Sequence, residues 1–113
     1  MKHVIAFIRP QKLGAVVHAL HQVPGLSGLS AMEVRGLGRR RAPGGRESIE
    51  EQLELLRPQV RLEVACAEAI VERVVEAIVA TARTGLAGDG KVYVAELGDA
   101  VRIATGERGE RAV

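Results

Sequence analysis

The strongest structural signal in this sequence is a β-strand that passes directly into an amphipathic helix. Residues 60–66, Val-Arg-Leu-Glu-Val-Ala-Cys, alternate apolar and polar side chains, which is typical of a strand buried on one face. The helix after it has a single apolar face, made of Val71, Val74, Val75, Ile78 and Ala82. Because each element has one apolar face, both faces must be buried in a shared core.

The N-terminal half of the chain repeats this order of elements. Residues 3–8 and 29–36 have the composition of strands, and residues 91–95 form a fourth one. The helix between the first two begins at Pro10 and carries apolar residues at Leu13, Val16, Val17 and Leu20. The order β-α-β, long loop, β-α-β predicts an α+β fold of the ferredoxin-like βαββαβ type, with an antiparallel four-stranded sheet and both helices on one face. We expect a single domain over residues 1–113. The uncovered sheet face predicts oligomerisation.

Composition limits the compartment and the kinds of partner. The chain holds one Phe and one Tyr, so it offers little stacking surface for single-stranded nucleic acid. Its net charge of +2 does not call for a polyanionic partner, and we expect no nucleic-acid binding. The single cysteine, Cys66, excludes an intrachain disulfide and favours a reducing compartment. No segment is long and apolar enough for a signal peptide or a membrane span, so we expect a cytoplasmic protein without membrane insertion.

A glycine-rich loop over residues 84–91 is the sharpest chemical feature of the sequence. Its segment Gly-Leu-Ala-Gly-Asp-Gly-Lys allows backbone N–H groups to approach a phosphate, and Lys91 adds a positive charge. A P-loop is rejected, because Val92 stands where magnesium needs Ser or Thr and because the loop runs from helix to strand. The bland alternative is a glycine-rich turn with a solvated lysine.

The C-terminal loop and tail, residues 98–113, form a second basic segment that contains glycine. Arg102, Thr105, Gly106 and Arg108 give it phosphate-binding groups, although most such tails are simply solvated. Because this segment and the glycine loop flank one short strand, we expect that they could converge on the same cleft.

The connection over residues 37–59 is far longer than a hairpin turn, and loops of this length are usually functional or disordered. Its first part, residues 38–46, is basic and rich in Gly and Pro, so we expect it to be mobile. In its second part, Ser48 and Glu51 predict a capping box for a short helix that Pro58 ends. The apolar face of that helix, Ile49, Leu53 and Leu56, packs on the protein itself or on a neighbouring subunit, or else docks a partner.

The remaining reactive side chains give no support for catalysis or metal binding. His18 and His21 lie one turn apart on a helix, but no acidic or thiol group accompanies them nearby in sequence, so we expect no metal site. Cys66 at a strand end is interpreted as a small core residue. No Ser/His/Asp or paired-carboxylate arrangement is present in the pattern, so we expect no enzyme activity.

These segments together resemble the PII nitrogen-regulatory signal-transduction family over nearly the whole chain. The resemblance rests on Ile8-Arg9-Pro10-x-Lys12-Leu13, Glu33-Val34-Arg35-Gly36-Leu37-Gly38-Arg39 and Val75-Glu76-Ala77-Ile78. It continues with Thr84-Gly85-x-x-Gly88-Asp89-Gly90-Lys91-Val92 and Arg102-Ile103-x-Thr105-Gly106-Glu107-Arg108-Gly109. The last two stretches are the most specific.

The resemblance implies a ferredoxin-like homotrimer with an adenine nucleotide (ATP, ADP or AMP) in each cleft between subunits. The phosphates would contact Gly38, Gly88, Lys91 and Arg102, and the adenine would lie near Phe7, Ser30 and Glu63. The full implied nucleotide site comprises these positions together with Gly36, Leu37, Arg39, Arg40, Ala65, Asp89 and Gly90. The mobile loop over 37–59 would bind a transporter or enzyme target, through Arg41, Arg46, Ile49, Leu53 and Leu56.

The sequence also departs from the family pattern. Arg40 replaces a Gln that helps to hold magnesium and 2-oxoglutarate, and Gln59 replaces a lysine that pairs with the effector's carboxylate. Leu86 and Ala104 replace two cationic phosphate contacts, and the loop lacks the tyrosine that the family nucleotidylates. We therefore predict a divergent PII-like regulator that binds an adenine nucleotide without sensing 2-oxoglutarate, and leave open whether magnesium accompanies the nucleotide. The alternative hypothesis is a structural or metal-responsive trimer of the same fold with no nucleotide site.

Overall fold

The computed structural model describes residues 1–38 and 48–113 of the chain. Its sheet consists of four strands: β1 (Lys2–Ile8), β2 (Ser30–Gly36), β3 (Arg57–Cys66) and β4 (Lys91–Glu96). The strands lie in the order β2-β3-β1-β4, and each neighbouring pair is antiparallel. This order is the one expected for the ferredoxin-like arrangement.

Within the described residues three helices accompany the sheet, and two of them cover one of its faces. They are α1 (Leu13–His21), α2 (Ile49–Glu54) and α3 (Val71–Ala82), and short 3-10 turns precede α1 and α3 and end the chain. Val16 and Leu20 of α1 and the buried residues of α3 lie in one cluster with the inward side chains of β1 and β3. The four-stranded antiparallel sheet and the pairing of both longer helices with one face are thereby confirmed.

The core is aliphatic, as the composition predicts. The strands contribute alternate residues to it, Val4, Ala6 and Ile8 from β1 and Val60, Leu62, Val64 and Cys66 from β3. Among the described residues no charged or polar side chain is buried. Cys66 is 1% exposed, and burial raises the pKa of its thiol, so it is a core residue as interpreted.

The end of the connection between β2 and β3 differs from the prediction. We expected Pro58 to stop the short helix and the loop to continue to residue 59. Instead, α2 ends at Glu54, and residues 57–59 already belong to β3, where Pro58 pairs with Arg35 of the edge strand β2. The capping box at Ser48 and Glu51 is confirmed, with both reciprocal hydrogen bonds present. The predicted mobile segment, residues 39–47, lies outside the described residues.

One glycine fixes how the loop before β4 meets the sheet. Gly90 has a φ of +103°, and a Cβ atom built there would overlap the carbonyl oxygen of Phe7. A side chain at this position would therefore push the glycine loop away from the end of β1.

We predict that Gly90→Ala lowers the free energy of unfolding by roughly 1–3 kcal/mol, because alanine meets both the strained φ and the Phe7 carbonyl. Urea denaturation at a fixed protein concentration measures this change. The matched control is Gly14→Ala in α1, where a Cβ meets no atom within 4 Å. That control should be neutral or stabilising by up to about 1 kcal/mol. Equal stabilities for the two variants would contradict the close approach at Gly90.

Candidate functional site

The glycine loop lies at the end of the sheet where β1 finishes and β4 begins. Lys91 pairs with Phe7 in the β1–β4 register. Gly85, Gly88 and Gly90 have φ angles of +88°, +95° and +103°, which residues with a side chain rarely adopt. The sequence therefore needs glycine at these positions to make the sharp return from α3 into β4.

Asp89 organises this loop from within. Its carboxylate accepts hydrogen bonds from the backbone N–H groups of Thr84 and Gly85, both at 2.8 Å, and from the Thr84 hydroxyl. Arg9 adds a hydrogen-bonded ion pair, with Nε 3.1 Å from Asp89 Oδ1. These donors, the Thr84 hydroxyl foremost, hold the pKa of Asp89 well below its usual range. Asp89 is thus ionised, and its carboxylate is occupied inside the loop; the contact of this residue with a nucleotide stays a prediction.

Lys91, the predicted phosphate-binding lysine, is exposed at the first position of β4. Among the described residues no carboxylate lies within ion-pair distance of its ammonium group. Its charge is therefore available to an anion from outside the described part of the chain.

The C-terminal segment holds Arg102 in a small closed structure. A bridge pairs Val101 with Arg108, and the backbone N–H groups of Arg102 and Gly106 donate to the carbonyl oxygens of Glu107 and Arg102. The Arg102 guanidinium donates to the carbonyl oxygen of Arg111 at 3.2 Å. The guanidinium has no carboxylate partner within the described ranges, so it too presents an unbalanced positive charge.

The N-terminus of the chain fixes where this segment lies. The amide of Leu97 donates to the Met1 carbonyl, and the Met1 amino group lies 4.0 Å from a carboxylate oxygen of Glu110. The segment is thus beside the start of β1, whereas the glycine loop is at the end of β1. The seven residues of β1 separate these two places by about 20 Å.

The predicted phosphate-binding groups consequently do not meet within one chain. Gly36 ends β2, one edge of the sheet, and Leu37 and Gly38 follow it, whereas Lys91 begins β4, the other edge. Both places are at the same end of the sheet, but three strand spacings, about 14 Å, lie between them. Arg102 is at the opposite end, so the expected convergence of the two basic segments is absent from a single chain.

The predicted adenine-binding residues share the sheet face that α1 and α3 leave uncovered. Phe7, Glu63 and Ala65 alternate with buried residues of β1 and β3, and Ser30 pairs directly with Glu63. Phe7, Glu63 and Ala65 are half-buried, whereas Ser30 is exposed. The face therefore brings these four together in two neighbouring regions, one around Phe7 and one around Glu63.

Each of these regions includes residues that the sequence analysis did not identify. The Phe7 ring meets Tyr93 edge to face, with centroids 6.2 Å apart, and Arg61 lies over it at 5.8 Å. Arg61 Nε donates to Glu63 at 2.7 Å, and His3 Nε2 lies 3.4 Å from the same carboxylate. The Arg61 hydrogen bond lowers the pKa of Glu63. Arg61 and His3 alternate with buried residues along their strands, and this alternation is the sequence signal that could have predicted their position on this face.

The predicted partner-binding residues divide into three groups. Ile49 and Leu53 of α2 are 73% and 53% exposed. Leu56 is half-buried, as is Leu55, so the apolar surface of this segment splits between solvent and the protein. Arg41 and Arg46, together with the nucleotide positions Arg39 and Arg40, lie outside the described residues.

No group of three or more His, Cys, Asp or Glu side chains within residues 1–38 and 48–113 is arranged to hold a metal. A shallow cavity of about 530 Å³ lies beside β2 and β3 and contains no predicted nucleotide residue; it is lined by Pro10, Glu33, Val34, Arg35, Pro58 and Gln59. No helix in the described part is long and apolar enough to cross a membrane.

Comparison with known proteins identifies relatives along the whole chain. A family sequence model described as Nitrogen regulatory protein P-II matches residues 1–107. The chain is 41% identical over 113 residues to a nitrogen regulatory protein P-II of Rhodospirillum rubrum, and 40% identical over 113 residues to one of Azospirillum brasilense, with 100% of each chain covered. It is 41% identical over 116 residues to nitrogen regulatory protein P-II 2 of Methanothermobacter thermautotrophicus, covering 100% of this chain and 97% of that protein. These similarities confirm the resemblance found in the sequence.

We predict that Leu53→Gln leaves the unfolding midpoint within about 1 °C of the unchanged protein, because the exposed Leu53 side chain contributes little to the core. Leu56→Gln should lower the midpoint by several degrees, since a half-buried leucine loses its packing. Thermal denaturation followed by circular dichroism compares the two variants. A larger loss for Leu53→Gln than for Leu56→Gln would contradict the observed division of this apolar surface.

Proposed function

The chain belongs to the nitrogen regulatory protein P-II family of signal-transduction proteins, which are regulators and not enzymes, and we propose that it binds an adenine nucleotide in clefts between the subunits of a homotrimer. The observation that carries this proposal is the dispersal of its phosphate-binding groups. Unpaired cations and glycine-rich turns lie at opposite ends and opposite edges of one sheet, so a second copy is needed to bring them together.

The uncovered sheet face supports the homotrimer. Ile5 and Phe7 of β1 and Tyr93 of the edge strand β4 lie on this face, and Tyr93 is 51% exposed. Val101 and Ile103 of the C-terminal segment are 48% and 101% exposed, so they are further apolar side chains open to water. Burial of such side chains between copies removes apolar area from water. Three copies are proposed because the resemblance to the family implies a trimer.

The nucleotide phosphates meet Lys91 and the Gly88–Gly90 turn of one subunit and Arg102 of its neighbour in this proposal. Each cation lacks a carboxylate partner within the described residues, so no internal ion pair has to break when a phosphate binds. Leu86, at a position where the family has a lysine, is 70% exposed and offers no charge. ATP therefore gains less from its γ-phosphate than the family pattern would provide, and ADP or AMP competes with it.

The regulatory output is proposed to pass through residues 37–59 to a partner protein. Ile49 and Leu53 present an apolar surface on α2 that the described part of the chain leaves exposed. An exposed apolar face on a short capped helix suits docking into a groove of a transporter or enzyme. We propose that this regulation takes place in the cytoplasm and serves nitrogen control or a related process.

We predict that Lys91→Gln and Arg102→Gln each weaken adenine nucleotide binding about tenfold or more, because each removes a charge-assisted phosphate contact. Isothermal titration calorimetry with ATP, ADP and AMP measures the three affinities for each variant. Arg73→Gln is the control for loss of a surface charge, since Arg73 is exposed on α3 and forms no ion pair within the described residues. The affinity of the unchanged protein for ATP should not exceed its affinity for ADP by a large factor. Absence of nucleotide binding by the unchanged protein would overturn the proposal.

We predict that 2-oxoglutarate has little effect on nucleotide binding. Arg40 has no acceptor atom and carries a positive charge, so it cannot ligate magnesium as an amide oxygen would. Gln59 brings no charge for a carboxylate, and its side chain lies over Gly36, where an added Cβ would overlap its amide oxygen. Both ends of the effector site are therefore altered.

A calorimetric titration of the magnesium-ATP complex with 2-oxoglutarate tests this prediction. The unchanged protein should show no saturable heat at micromolar effector concentrations. The double variant Arg40→Gln/Gln59→Lys, which restores the family's residues at both positions, is the comparison that should gain such binding. Saturable micromolar binding by the unchanged protein would show that these two positions do not control effector recognition.

A further inference from the structure

Arg9 connects the end of β1 to the glycine loop through two different acceptors. Its Nε donates to Asp89 Oδ1 at 3.1 Å, and its Nη2 donates to the carbonyl oxygen of Ala87 at 2.8 Å. A Cβ built at Gly88 would lie 3.3 Å from Nη2, so the guanidinium also packs closely against that glycine. Arg9 therefore holds Ala87, Gly88 and Asp89 at once. The sequence analysis did not single out this residue.

Asp89 carries this connection further into the loop. It accepts from the N–H groups of Thr84 and Gly85, from the Thr84 hydroxyl and from Arg9, which together use the roughly four acceptor sites of a carboxylate. With side-chain exposure of 22% for Asp89 and 27% for Arg9, the pair is mostly shielded from water. A carboxylate that is filled in this way is not free to contact a ligand, and its negative charge would repel a phosphate.

We propose that Arg9 is a positioning residue for the phosphate site, acting through Asp89 to hold the Gly88–Lys91 turn in its binding conformation before a nucleotide arrives. This inference rests on the proposed nucleotide binding and assigns the side chains of Arg9 and Asp89 a role that involves no contact with the ligand. The reason lies in the loop's composition. Three glycines with positive φ have little conformational preference of their own, so an external clamp must reduce the freedom that binding would otherwise remove.

The chemistry of the clamp requires arginine. Arg9 uses two separate N–H groups in a planar fork to reach a carboxylate and a carbonyl group on different residues. A lysine could satisfy one of these acceptors but not both in the same geometry. Arg9→Lys therefore keeps the positive charge near the phosphate site while removing the two-point connection, which separates a positioning role from a purely electrostatic one.

Two measurements on the full-length protein test the role. The first is hydrogen exchange of the Thr84 and Gly85 amides without nucleotide. These amides should exchange at least tenfold faster in Arg9→Gln and Arg9→Lys, and the core strands and the global unfolding midpoint should stay unchanged. Arg73→Gln is again the control for loss of a surface charge. Unchanged exchange in both Arg9 variants would overturn the inference.

The second measurement is a double-mutant cycle on ADP affinity with Arg9→Gln, Asp89→Asn and the two combined. If Arg9 acts through Asp89, each single variant should bind about tenfold more weakly and the double variant should be no worse than either. Additive losses would mean that Arg9 and Asp89 act independently of each other, and the inference would be wrong. Normal affinity in Arg9→Lys would contradict it equally.

The two measurements also separate this inference from the proposed function. If the unchanged protein bound no nucleotide, the proposed function would fail and the role of Arg9 in binding would fail with it, whatever the exchange showed. If nucleotide bound normally to every Arg9 variant, the proposed function would stand and the positioning role alone would be overturned.

Discussion

The position of β1 between β3 and β4 determines where every candidate binding residue lies. Its hydrogen bonds to both neighbours fix a register in which Val4, Ala6 and Ile8 face the helices and His3, Ile5 and Phe7 face away. A shift by one residue would exchange these two sets, burying the polar His3 imidazole and exposing the core residues. The aliphatic core under α1 and α3 therefore stabilises the uncovered face as well, since it enforces the register on which that face depends.

The same strand separates the parts of the proposed nucleotide site. Its last residues support the glycine loop, through the close approach of Gly90 to the Phe7 carbonyl and through Arg9. Met1, directly before the strand, anchors the C-terminal segment that carries Arg102. Because the strand is rigid and about 20 Å long, one chain cannot close a phosphate site from these two halves. An assembly of copies can close such a site, and the uncovered sheet face with its exposed Tyr93 offers the surface on which copies could pack.

Periodicity alone was enough to predict the elements with strong patterns. The helix at Val71 and the strand ending at Cys66 have one apolar face each, and both were found where the pattern placed them. The start of β3 was missed because Pro58, a usual breaker, is tolerated in the first residues of this strand, which pair with β2 but extend beyond the pairing with β1. The connection of Arg9 to Asp89 could not be predicted, because eighty positions of chain separate the two residues and no local spacing relates them. The resemblance to the family indicated which residues form the candidate site. It did not indicate which side chains, such as that of Asp89, bond to the protein itself.

The central claim is that one nucleotide site is built from two subunits, and mixed oligomers test it most directly. Lys91→Gln and Arg102→Gln chains, each defective alone, are unfolded and refolded together in equal amounts, and ADP binding is measured by calorimetry. If the site pairs Lys91 of one subunit with Arg102 of the next, each mixed trimer regains one intact cleft. About a quarter of all clefts should then bind with the affinity of the unchanged protein. If the mixture binds no better than the separate variants, the site lies within one chain and the account is wrong.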